Sequence, residues 1–353
     1  MLHTIKPLYK TAFGSAFVGD SLDLIDHVRK ESINLVITSP PFCLQRQKEY
    51  GNLPEEQYID WLTEFAKKVQ KVLCEDGSFV LDLGGAYEKD RPVRSLYNYR
   101  ILVNFCDELG FRLAEEFFWF NPAKLPSPIE WVNKRKIRVK DAVDTVWWFA
   151  KTDFPKADVK RIIVPYSARM RKLLEHRTKY YTPKLRPSGH DISRGFDLDR
   201  GGAIPSNYLL DMTNVLEIAN TESNSKYLRN CRIANAEPNP ARFPKKIPDF
   251  FIRFLTNPGD IVLDIFAGSN TTGEAAEENQ RRWIAFEIER KYVAGSALRF
   301  IDTTSEEEIK ILYDRLLDSS TFEIDVNEGK GTLAEPKLPI IDQIERASAQ
   351  TSI

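Results

Sequence analysis

The 353-residue sequence has little of what builds metal centres, disulfide frameworks or membrane spans. Its four cysteines are scattered without metal-ligand spacing, and its four histidines do not cluster with them, so we predict no zinc or iron site. No apolar run is long enough to span a bilayer, and residues 1–10 lack the apolar core of a signal peptide. We therefore expect a cytoplasmic protein with reduced thiols and no membrane partner.

Net charge is almost absent as well, because 50 lysines and arginines nearly balance 51 aspartates and glutamates. The balance conceals an asymmetry, since residues 121–200 hold 19 basic and 9 acidic side chains, whereas residues 302–353 hold 5 basic and 12 acidic ones. The basic block is interleaved with Tyr166, Tyr180 and Tyr181. It contains a dense run of cations, namely Lys134, Arg135, Lys136, Arg138 and Lys140. Such a block is most often a solvated face, but it can also follow a phosphate backbone.

A rigid turn follows the apolar run Ile33–Ile37. The next residues are Thr38, Ser39, Pro40, Pro41 and Phe42, and two consecutive prolines cannot continue the hydrogen bonds of a strand. The turn therefore fixes a hydroxyl, a backbone carbonyl and an aromatic ring at the carboxyl end of a strand, where α/β sheets bind ligands. Taken alone, the pentapeptide fits an ordinary strand-terminating loop equally well.

A second motif, far downstream, has the pattern of a nucleoside-binding βαβ unit. A buried strand ends in Asp264, a turn with Gly268 follows, and an Ala/Glu-rich helix is predicted over Thr271–Asn279. The next strand, Trp283–Phe286, leads into Glu287, a position from which an acid can bind both ribose hydroxyls. Together these features favour a nucleoside cofactor over a purely structural βαβ unit.

With these two motifs the sequence resembles the β group of amino-type DNA methyltransferases, which use S-adenosylmethionine (AdoMet). In that family Asp-x-Phe-x-Gly-x-Gly forms the AdoMet loop, and Asp-Pro-Pro-Tyr or Ser-Pro-Pro-Tyr/Phe forms the catalytic turn, which comes first in the β group. The Ser-Pro-Pro-Phe form at residues 39–42 resembles the N4-cytosine branch more than the N6-adenine branch. Asn270 departs from the pattern, because it stands where the family has its second loop glycine. Asparagine is the non-glycine residue that best tolerates positive φ.

The resemblance implies an α/β fold, a Rossmann-like AdoMet-dependent methyltransferase sheet with circularly permuted motif order and an inserted target-recognition region. We expect a catalytic half over residues 1–150, the target-recognition region over 151–235, the AdoMet-binding half over 236–302 and an acidic C-terminal tail over 303–353. Periodicity predicts helices over Gln57–Leu73, Tyr97–Leu109 and Phe243–Thr256, and strands over Phe79–Leu83, Leu113–Phe120 and Thr145–Ala150. Asp76 and Gly77 are expected to break the first of these helices.

The resemblance also implies roles for the residues of the turn. Ser39 Oγ and the Pro40 carbonyl would accept hydrogen bonds from both protons of the target amine, which frees the nitrogen lone pair for attack on the methyl group. Phe42 would stack on the base, and Trp119 is a second stacking candidate that fits a core position equally well. The predicted catalytic residues are Ser39, Pro40, Pro41, Phe42 and Trp119.

For the cofactor, the resemblance implies that Asp20 binds the adenine amine and Glu287 the ribose. The loop from Phe266 to Thr271 would hold the methionine end, and Phe243 and Pro244 would wall the pocket. The predicted cofactor-binding residues are Asp20, Phe243, Pro244, Asp264, Phe266, Gly268, Ser269, Asn270, Thr271 and Glu287.

The implied activity is transfer of the AdoMet methyl group to the exocyclic N4 amine of a cytosine flipped out of double-stranded DNA. A cognate restriction endonuclease would act on the same site, in a prokaryotic cytoplasm. The alternative is N6-adenine methylation by the same turn. A DNA-binding module without transfer activity is disfavoured, because the turn, Asp264 and Glu287 are all present. In the setting of a methyltransferase, the cations from Lys134 to Lys140 are expected to bind DNA phosphates.

Overall fold

The computed structural model describes residues 5–43, 54–122, 124–177, 195, 198–209, 225–302, 305–318, 322–325 and 330–332. Its strands are β1 (Tyr9–Lys10), β2 (Gly14–Val18), β3 (Ile33–Thr38), β4 (Leu73–Leu83), β5 (Arg112–Phe120), β6 (Val143–Ala150), β7 (Tyr208–Leu209), β8 (Ile261–Asp264), β9 (Arg282–Glu287), β10 (Phe322–Asp325) and β11 (Lys330–Thr332). The α-helices are α1 (Ser21–Ile25), α2 (Glu55–Val72), α3 (Tyr97–Asp107), α4 (Ala168–Glu175), α5 (Lys226–Ile233), α6 (Lys246–Leu255), α7 (Thr271–Glu278), α8 (Arg290–Ser296) and α9 (Glu306–Leu317). None of these helices is long and apolar enough to cross a membrane.

All strands of the described residues belong to one sheet, in the order β11-β10-β1-β2-β9-β8-β3-β4-β6-β5-β7. The strands β2, β9, β8, β3 and β4 run parallel to one another, whereas β6 is antiparallel to β4 and to β5. The expected Rossmann-like α/β class is therefore confirmed. The two motifs of the sequence analysis, which are far apart in the sequence, follow the neighbouring strands β3 and β8.

Helices cover both faces of the sheet because each has one apolar stripe. On one face, α2 buries Tyr58, Leu62, Phe65 and Val69, which recur at helical spacing. On the other face, α6 buries Phe250 and Phe251 against Phe117 of β5, with ring centroids 5.8 and 5.0 Å apart. The sheet is thus packed on both sides, which leaves its strand ends as the place for a ligand.

The predicted elements all form, but one expected boundary is wrong. Helix α2 ends at Val72, and Asp76 and Gly77 lie inside the 11-residue strand β4 rather than at a helix break. Strand β6, predicted over Thr145–Ala150, lies between β4 and β5 in the sheet. The acidic tail contains helix α9, while most of the expected tail, residues 303–353, lies outside the described residues.

The functional motifs lie together at the carboxyl ends of the parallel strands, a border of the sheet that we call the carboxyl edge. The carboxyl ends of the parallel strands β3, β4, β8 and β9 meet there, followed by the Ser-Pro-Pro-Phe turn, Gly84, the loop after Asp264, and Glu287. Because β6 is antiparallel to β4 and β5 is antiparallel to β6, the loop between β5 and β6 joins the same edge. This carboxyl edge therefore holds the predicted site.

Candidate active site

The catalytic turn is tied to the sheet on both sides. Thr38 Oγ1 donates a hydrogen bond to Asp264 Oδ1 at 2.6 Å, and Ser39 Oγ donates one to Asp82 Oδ2 at 3.0 Å. Asp264 ends β8 and Asp82 belongs to β4, so the turn lies between its two neighbouring strands. The Ser39 hydroxyl is consequently held in one orientation, with its oxygen free to accept a further hydrogen bond.

Asp82 is a buried acid that the sequence analysis missed. Its side chain is only 1% exposed, and its Oδ1 has no hydrogen-bond partner among the described residues. Burial raises the pKa of Asp82 well above its usual range, and the nearby Asp144 raises it further. Asp82 can therefore hold a proton under conditions in which an exposed aspartate cannot.

Lys124 and Arg94 supply positive charge to the neighbouring carboxyls Asp144 and Asp141. Lys124 Nζ lies 2.5 Å from Asp144 Oδ1, yet burial still raises the pKa of Asp144. Arg94 pairs with Asp141 at 3.1 Å and lowers the pKa of that carboxyl, although burial alone would raise it. Asp82, Asp144 and Asp141 thus lie near two cations. Within the described ranges, the Ser39 hydroxyl is the one side chain that donates a hydrogen bond to Asp82.

Gly84 leaves the space that the Phe42 ring occupies. A Cβ atom at residue 84 would lie 2.5 Å from both the Phe42 ring and Asp144 Oδ1, so only glycine fits. The Tyr97 hydroxyl donates a hydrogen bond to the Gly84 carbonyl and fixes this stretch of backbone. The half-buried Phe42 ring therefore packs at the carboxyl end of β4.

Trp119 is 5% exposed and belongs to the hydrophobic core on the α6 face of the sheet. Its ring lies edge-on to Phe243, with centroids 6.5 Å apart and an interplanar angle of 73°. The structure therefore brings together one predicted catalytic residue and one predicted pocket wall. A stacking role for Trp119 stays a prediction.

Cys43, next to the turn, is suited to packing rather than to nucleophilic attack. Burial raises the pKa of its thiol to about 11, with a further contribution from Glu55. The thiolate, which is the nucleophilic form, is consequently scarce at neutral pH.

Asp264 fixes the loop of residues 266–271 through hydrogen bonds at both ends of the loop. Its Oδ1 accepts hydrogen bonds from Thr38 Oγ1 and from the Phe266 backbone N–H at 3.1 Å, and its Oδ2 accepts one from Thr272 Oγ1 at 2.6 Å. The carboxyl is 5% exposed, and burial raises its pKa. Asp264 therefore holds the catalytic turn and the loop together.

Glu287 lies across the loop from Asp264, at the tip of β9. Its Oε2 accepts a hydrogen bond from the Gly268 N–H at 2.9 Å, and its Oε1 accepts one from the Glu289 N–H at 3.0 Å. Burial raises the pKa of Glu287, although its residue is not fully enclosed. Asp20 is close by, because Gly19 N–H donates to the Glu287 carbonyl at 3.0 Å, and Asp20 is exposed while it caps α1.

Asn270 takes the conformation expected of it. Its φ is +54°, its Oδ1 accepts a hydrogen bond from the Gly273 N–H at 3.0 Å, and its Nδ2 donates to the Tyr9 hydroxyl at 2.9 Å. Gly268 also has a positive φ of 50°, and a Cβ atom there would lie 2.9 Å from Asn239 Nδ2. An asparagine can therefore replace the usual loop glycine because its side chain caps helix α7.

A buried arginine supports the same loop and was missed by the sequence analysis. Arg299 is 3% exposed, and its guanidinium donates to Ser269 Oγ at 2.9 Å and to Glu274 Oε2 at 2.8 Å. It also lies over the Tyr227 ring, 4.3 Å from the centroid. The Arg299 guanidinium also donates to the Ser269 carbonyl, so it holds the backbone of the loop as well as its side chains.

These parts fit AdoMet. A carboxylate at a strand tip suits a ribose diol, a loop with positive φ allows close approach of backbone amides, and half-buried aromatic residues can line a cofactor pocket. Phe266 packs against Trp61 and Phe65, with centroids 5.4 and 4.9 Å apart, so it presents a fixed wall on the loop. No group of three or more His, Cys, Asp or Glu side chains able to hold a metal occurs in the part of the chain that the structure describes.

Comparison with known proteins agrees with this geometry, because the model of the DNA methylase family N6_N4_Mtase matches residues 33–298. The chain belongs to this DNA methylase family. It is 57% identical over 320 residues to the type II methyltransferase M.PvuII of Proteus hauseri, covering 90% of this chain and 93% of that protein. It is 24% identical over 293 residues to the type II methyltransferase M.BglII of Bacillus subtilis, covering 82% of this chain and 70% of that protein.

A solved structure supports the same assignment. The PvuII DNA methyltransferase, described as cytosine-N4-specific, superposes with a TM-score of 0.73 at 50% identity, covering 92% of this chain and 98% of that chain. The family resemblance inferred from the two motifs is therefore confirmed.

In this DNA methylase, the predicted phosphate-binding cations lie in the loop between β5 and β6, at the carboxyl edge. Lys134 and Arg135 pair with Glu130 at 3.3 and 2.9 Å, and Lys136 is exposed. Arg138 Nε donates to the Pro92 carbonyl at 2.8 Å, and Lys140 Nζ donates to the Pro122 carbonyl at 2.6 Å. Tyr180 and Tyr181 lie outside the described residues.

Proposed function

We propose that this chain is a site-specific DNA methyltransferase that transfers the methyl group of AdoMet to the N4 amine of a cytosine flipped out of duplex DNA. The observation that carries the chemistry is the Ser39 hydroxyl on a fixed turn, hydrogen-bonded to buried Asp82 and joined through Thr38 and Asp264 to the cofactor loop. The N4-cytosine reading is favoured over N6-adenine because the relative that is 57% identical is M.PvuII, and the PvuII structure is described as cytosine-N4-specific.

The turn can activate a weak nucleophile. The lone pair of an exocyclic amine is delocalised into the base ring, and hydrogen bonds from its two protons to Ser39 Oγ and the Pro40 carbonyl draw the nitrogen towards tetrahedral geometry. Phe42 stacks on the ring and positions the amine. Positioning of reacting groups can lower an activation barrier by at most about 7–11 kcal/mol. Flipping the base out of the stack costs a few kcal/mol, which contacts to DNA offset.

The transferred methyl group leaves the nitrogen with one proton too many. Ser39 already donates to Asp82 Oδ2, so a proton that Ser39 accepts from the amine can pass along this hydrogen bond to the carboxylate. The raised pKa of Asp82, caused first by burial, makes the carboxylate a better acceptor than an exposed aspartate. Asp82 is therefore assigned as the proton acceptor.

AdoMet, when bound, supplies an activated methyl group on a positive sulfonium. Glu287 would bind its ribose and Asp20 its adenine amine. The loop residues 266–271, supported by Asp264, would hold the methionine end, with Phe243 and Pro244 as pocket walls. This assignment is supported by the position of Glu287 beside the Gly268 N–H, which places an acceptor next to a backbone donor.

We further propose the division into a catalytic half over residues 1–150, a target-recognition region over 151–235, an AdoMet-binding half over 236–302 and an acidic tail over 303–353. Lys134, Arg135, Lys136, Arg138 and Lys140 would contact DNA phosphates. As a type II modification enzyme, the protein would act in a prokaryotic cytoplasm beside a restriction endonuclease for the same site.

Sequencing the modified bases of plasmid DNA from cells that express the protein tests the function. We expect N4-methylcytosine at one short sequence, and none when Ser39→Ala is expressed at the same level. N6-methyladenine in its place would contradict the base assignment, and unmodified DNA from the wild type would contradict the activity.

A further inference from the structure

Trp119 carries an indole N–H without a hydrogen-bond partner among the described residues, although the side chain is 95% buried. Three other buried tryptophans do not share this property. Trp147, Trp148 and Trp283 donate to Glu116, Ser78 and Glu277 at 3.2, 2.8 and 2.6 Å. An unpaired buried donor is unfavourable by about 1–3 kcal/mol and is uncommon in native proteins, so the Trp119 N–H calls for a partner.

The indole lies on the same face of the sheet as the catalytic carboxyl. Trp119 is directly opposite Asp144 on β6, and opposite residues of an antiparallel pair point to one face. Trp119 shares its core cluster with Val80, and Asp82 follows Val80 by two residues, so Asp82 points to that face as well. The unpaired donor and the Ser39–Asp82 pair therefore occupy one side of the carboxyl edge.

The Ser39–Asp82 pair and the Trp119 donor belong to strands that are not adjacent in the sheet. Strands β4 and β5 are separated by β6, so their backbones are about 10 Å apart. Cytosine presents the N4 amine, the ring nitrogen N3 and the O2 carbonyl in sequence along one edge. If the amine is held at Ser39, beside β4, and the ring extends towards β5, the O2 carbonyl is the acceptor that comes nearest to β5.

We propose that Trp119 Nε1 donates a hydrogen bond to O2 of the flipped-out cytosine and so selects this base. The inference rests on the proposed function and adds a specificity-determining residue to it. Adenine presents its amine, N1 and then a C2–H, so it offers no acceptor where cytosine has O2. Adenine would leave the Trp119 donor unpaired, which disfavours it.

The test replaces Trp119 by 3-benzothienylalanine, which keeps the shape of the indole but has sulfur instead of N–H. The matched control is the same replacement at Trp148, whose N–H donates to Ser78. The melting temperature should hold or rise at residue 119, where a buried donor without a partner is removed, and should fall at residue 148, where a hydrogen bond is lost. Methyl transfer to a duplex that carries the sequence found in the plasmid experiment should drop about 10-fold to 100-fold in kcat/KM for the Trp119 variant.

A modified substrate identifies the acceptor. In the same duplex the target cytosine is replaced by a 2-aminopyridine C-nucleoside, which keeps the amine and the adjacent ring nitrogen but lacks O2. We expect the wild type to slow at least about 10-fold on this duplex, and the Trp119 variant to show little further loss. Equal losses for the two proteins, or an unchanged rate for the variant on cytosine, would overturn the inference.

The outcomes separate this inference from the function on which it rests. If the wild type does not methylate cytosine at all, the proposed function fails. If the wild type does so and ignores the loss of O2, only the role of Trp119 fails, and this arm remains decisive even if the Trp119 variant does not fold.

Discussion

Replacing Asp82 by asparagine should stabilise the protein and inactivate it at the same time. Asparagine has the same shape, and its carbonyl oxygen can accept the hydrogen bond from Ser39, but it carries no charge in a site that is 1% exposed. The wild-type carboxylate has one unpartnered oxygen among the described residues and Asp144 nearby, while Lys124 is engaged with Asp144. Removing an incompletely compensated buried charge should raise the free energy of unfolding by about 1–2 kcal/mol at neutral pH.

The pH dependence of this gain has a definite sign. Burial raises the pKa of Asp82 in the folded state above its unfolded value, so the folded state retains a proton that the unfolded state loses. Wild-type stability therefore falls, relative to Asp82→Asn, as pH rises above the ordinary aspartate pKa of about 3.9. The difference should be small near that pH and reach its full value above the folded-state pKa.

Urea unfolding between pH 5 and 8 measures the stability, and incorporation of labelled methyl groups into DNA measures the activity. Asparagine cannot take the proton from the amine, so transfer should fall about 100-fold or more. Asp141→Asn is the matched control, for which the change in stability should have the opposite sign. Arg94 lowers the pKa of Asp141, so removing the Asp141 carboxylate should destabilise the protein at neutral pH. An Asp82→Asn variant that is less stable than the wild type, or fully active, would refute the reasoning.

Three further substitutions test the remaining site assignments. Ser39→Ala should abolish most methyl transfer and leave AdoMet affinity nearly intact, because Ser39 contacts Asp82; near-normal incorporation of labelled methyl groups would remove it from the mechanism. Glu287→Ala should weaken AdoMet binding by about 2 kcal/mol or more in calorimetry, with DNA binding preserved, and an unchanged affinity would mean that the ribose binds elsewhere. Replacing Lys134, Arg135 and Lys136 together by alanine should reduce the slope of log affinity for DNA against log salt concentration by the equivalent of up to about three phosphate contacts. The exposed ion pairs of Lys134 and Arg135 with Glu130 are weak, so these cations can exchange Glu130 for phosphates. The methylated sequence should not change in this triple variant, because phosphate contacts do not read bases, and an unchanged slope would reduce the three cations to a solvated surface.

Local patterns predicted most of the sheet and its helices. The apolar spacing in α2 and the alternation that places Phe117 and Trp119 on one face of β5 are properties of neighbouring residues, so the sequence shows them directly. Asp76 and Gly77 misled the prediction because an Asp-Gly pair is typical of turns, whereas here it lies within a long strand, where its continuously buried part begins at Gly77.

The network behind Ser39 could not be read from local patterns. Asp82 and Asp144 are 62 positions apart in the sequence and meet only because β6 inserts beside β4. One signal was available: Asp82 interrupts an otherwise apolar strand over residues 79–83, and a charge in such a strand has a partner or a function. Arg299 gives no such signal, since its contacts with Ser269 and Glu274 depend on how α7 folds back onto the sheet.

The hydrogen bond from Thr38 to Asp264 has a consequence for how such enzymes can evolve. It joins two motifs that are 226 positions apart in the sequence, and it depends only on β3 and β8 being neighbours in the sheet. The chain that connects the two strands also carries β4 and β6, and with them Asp82, Gly84 and Asp144, whereas its stretch after β6 carries none of these three residues. That later stretch can therefore lengthen, shorten or be exchanged while the turn and its hydrogen bonds are kept. In the proposed division this later stretch is the target-recognition region, so its exchange would change the DNA sequence that is recognised while the residues of the turn are inherited unchanged.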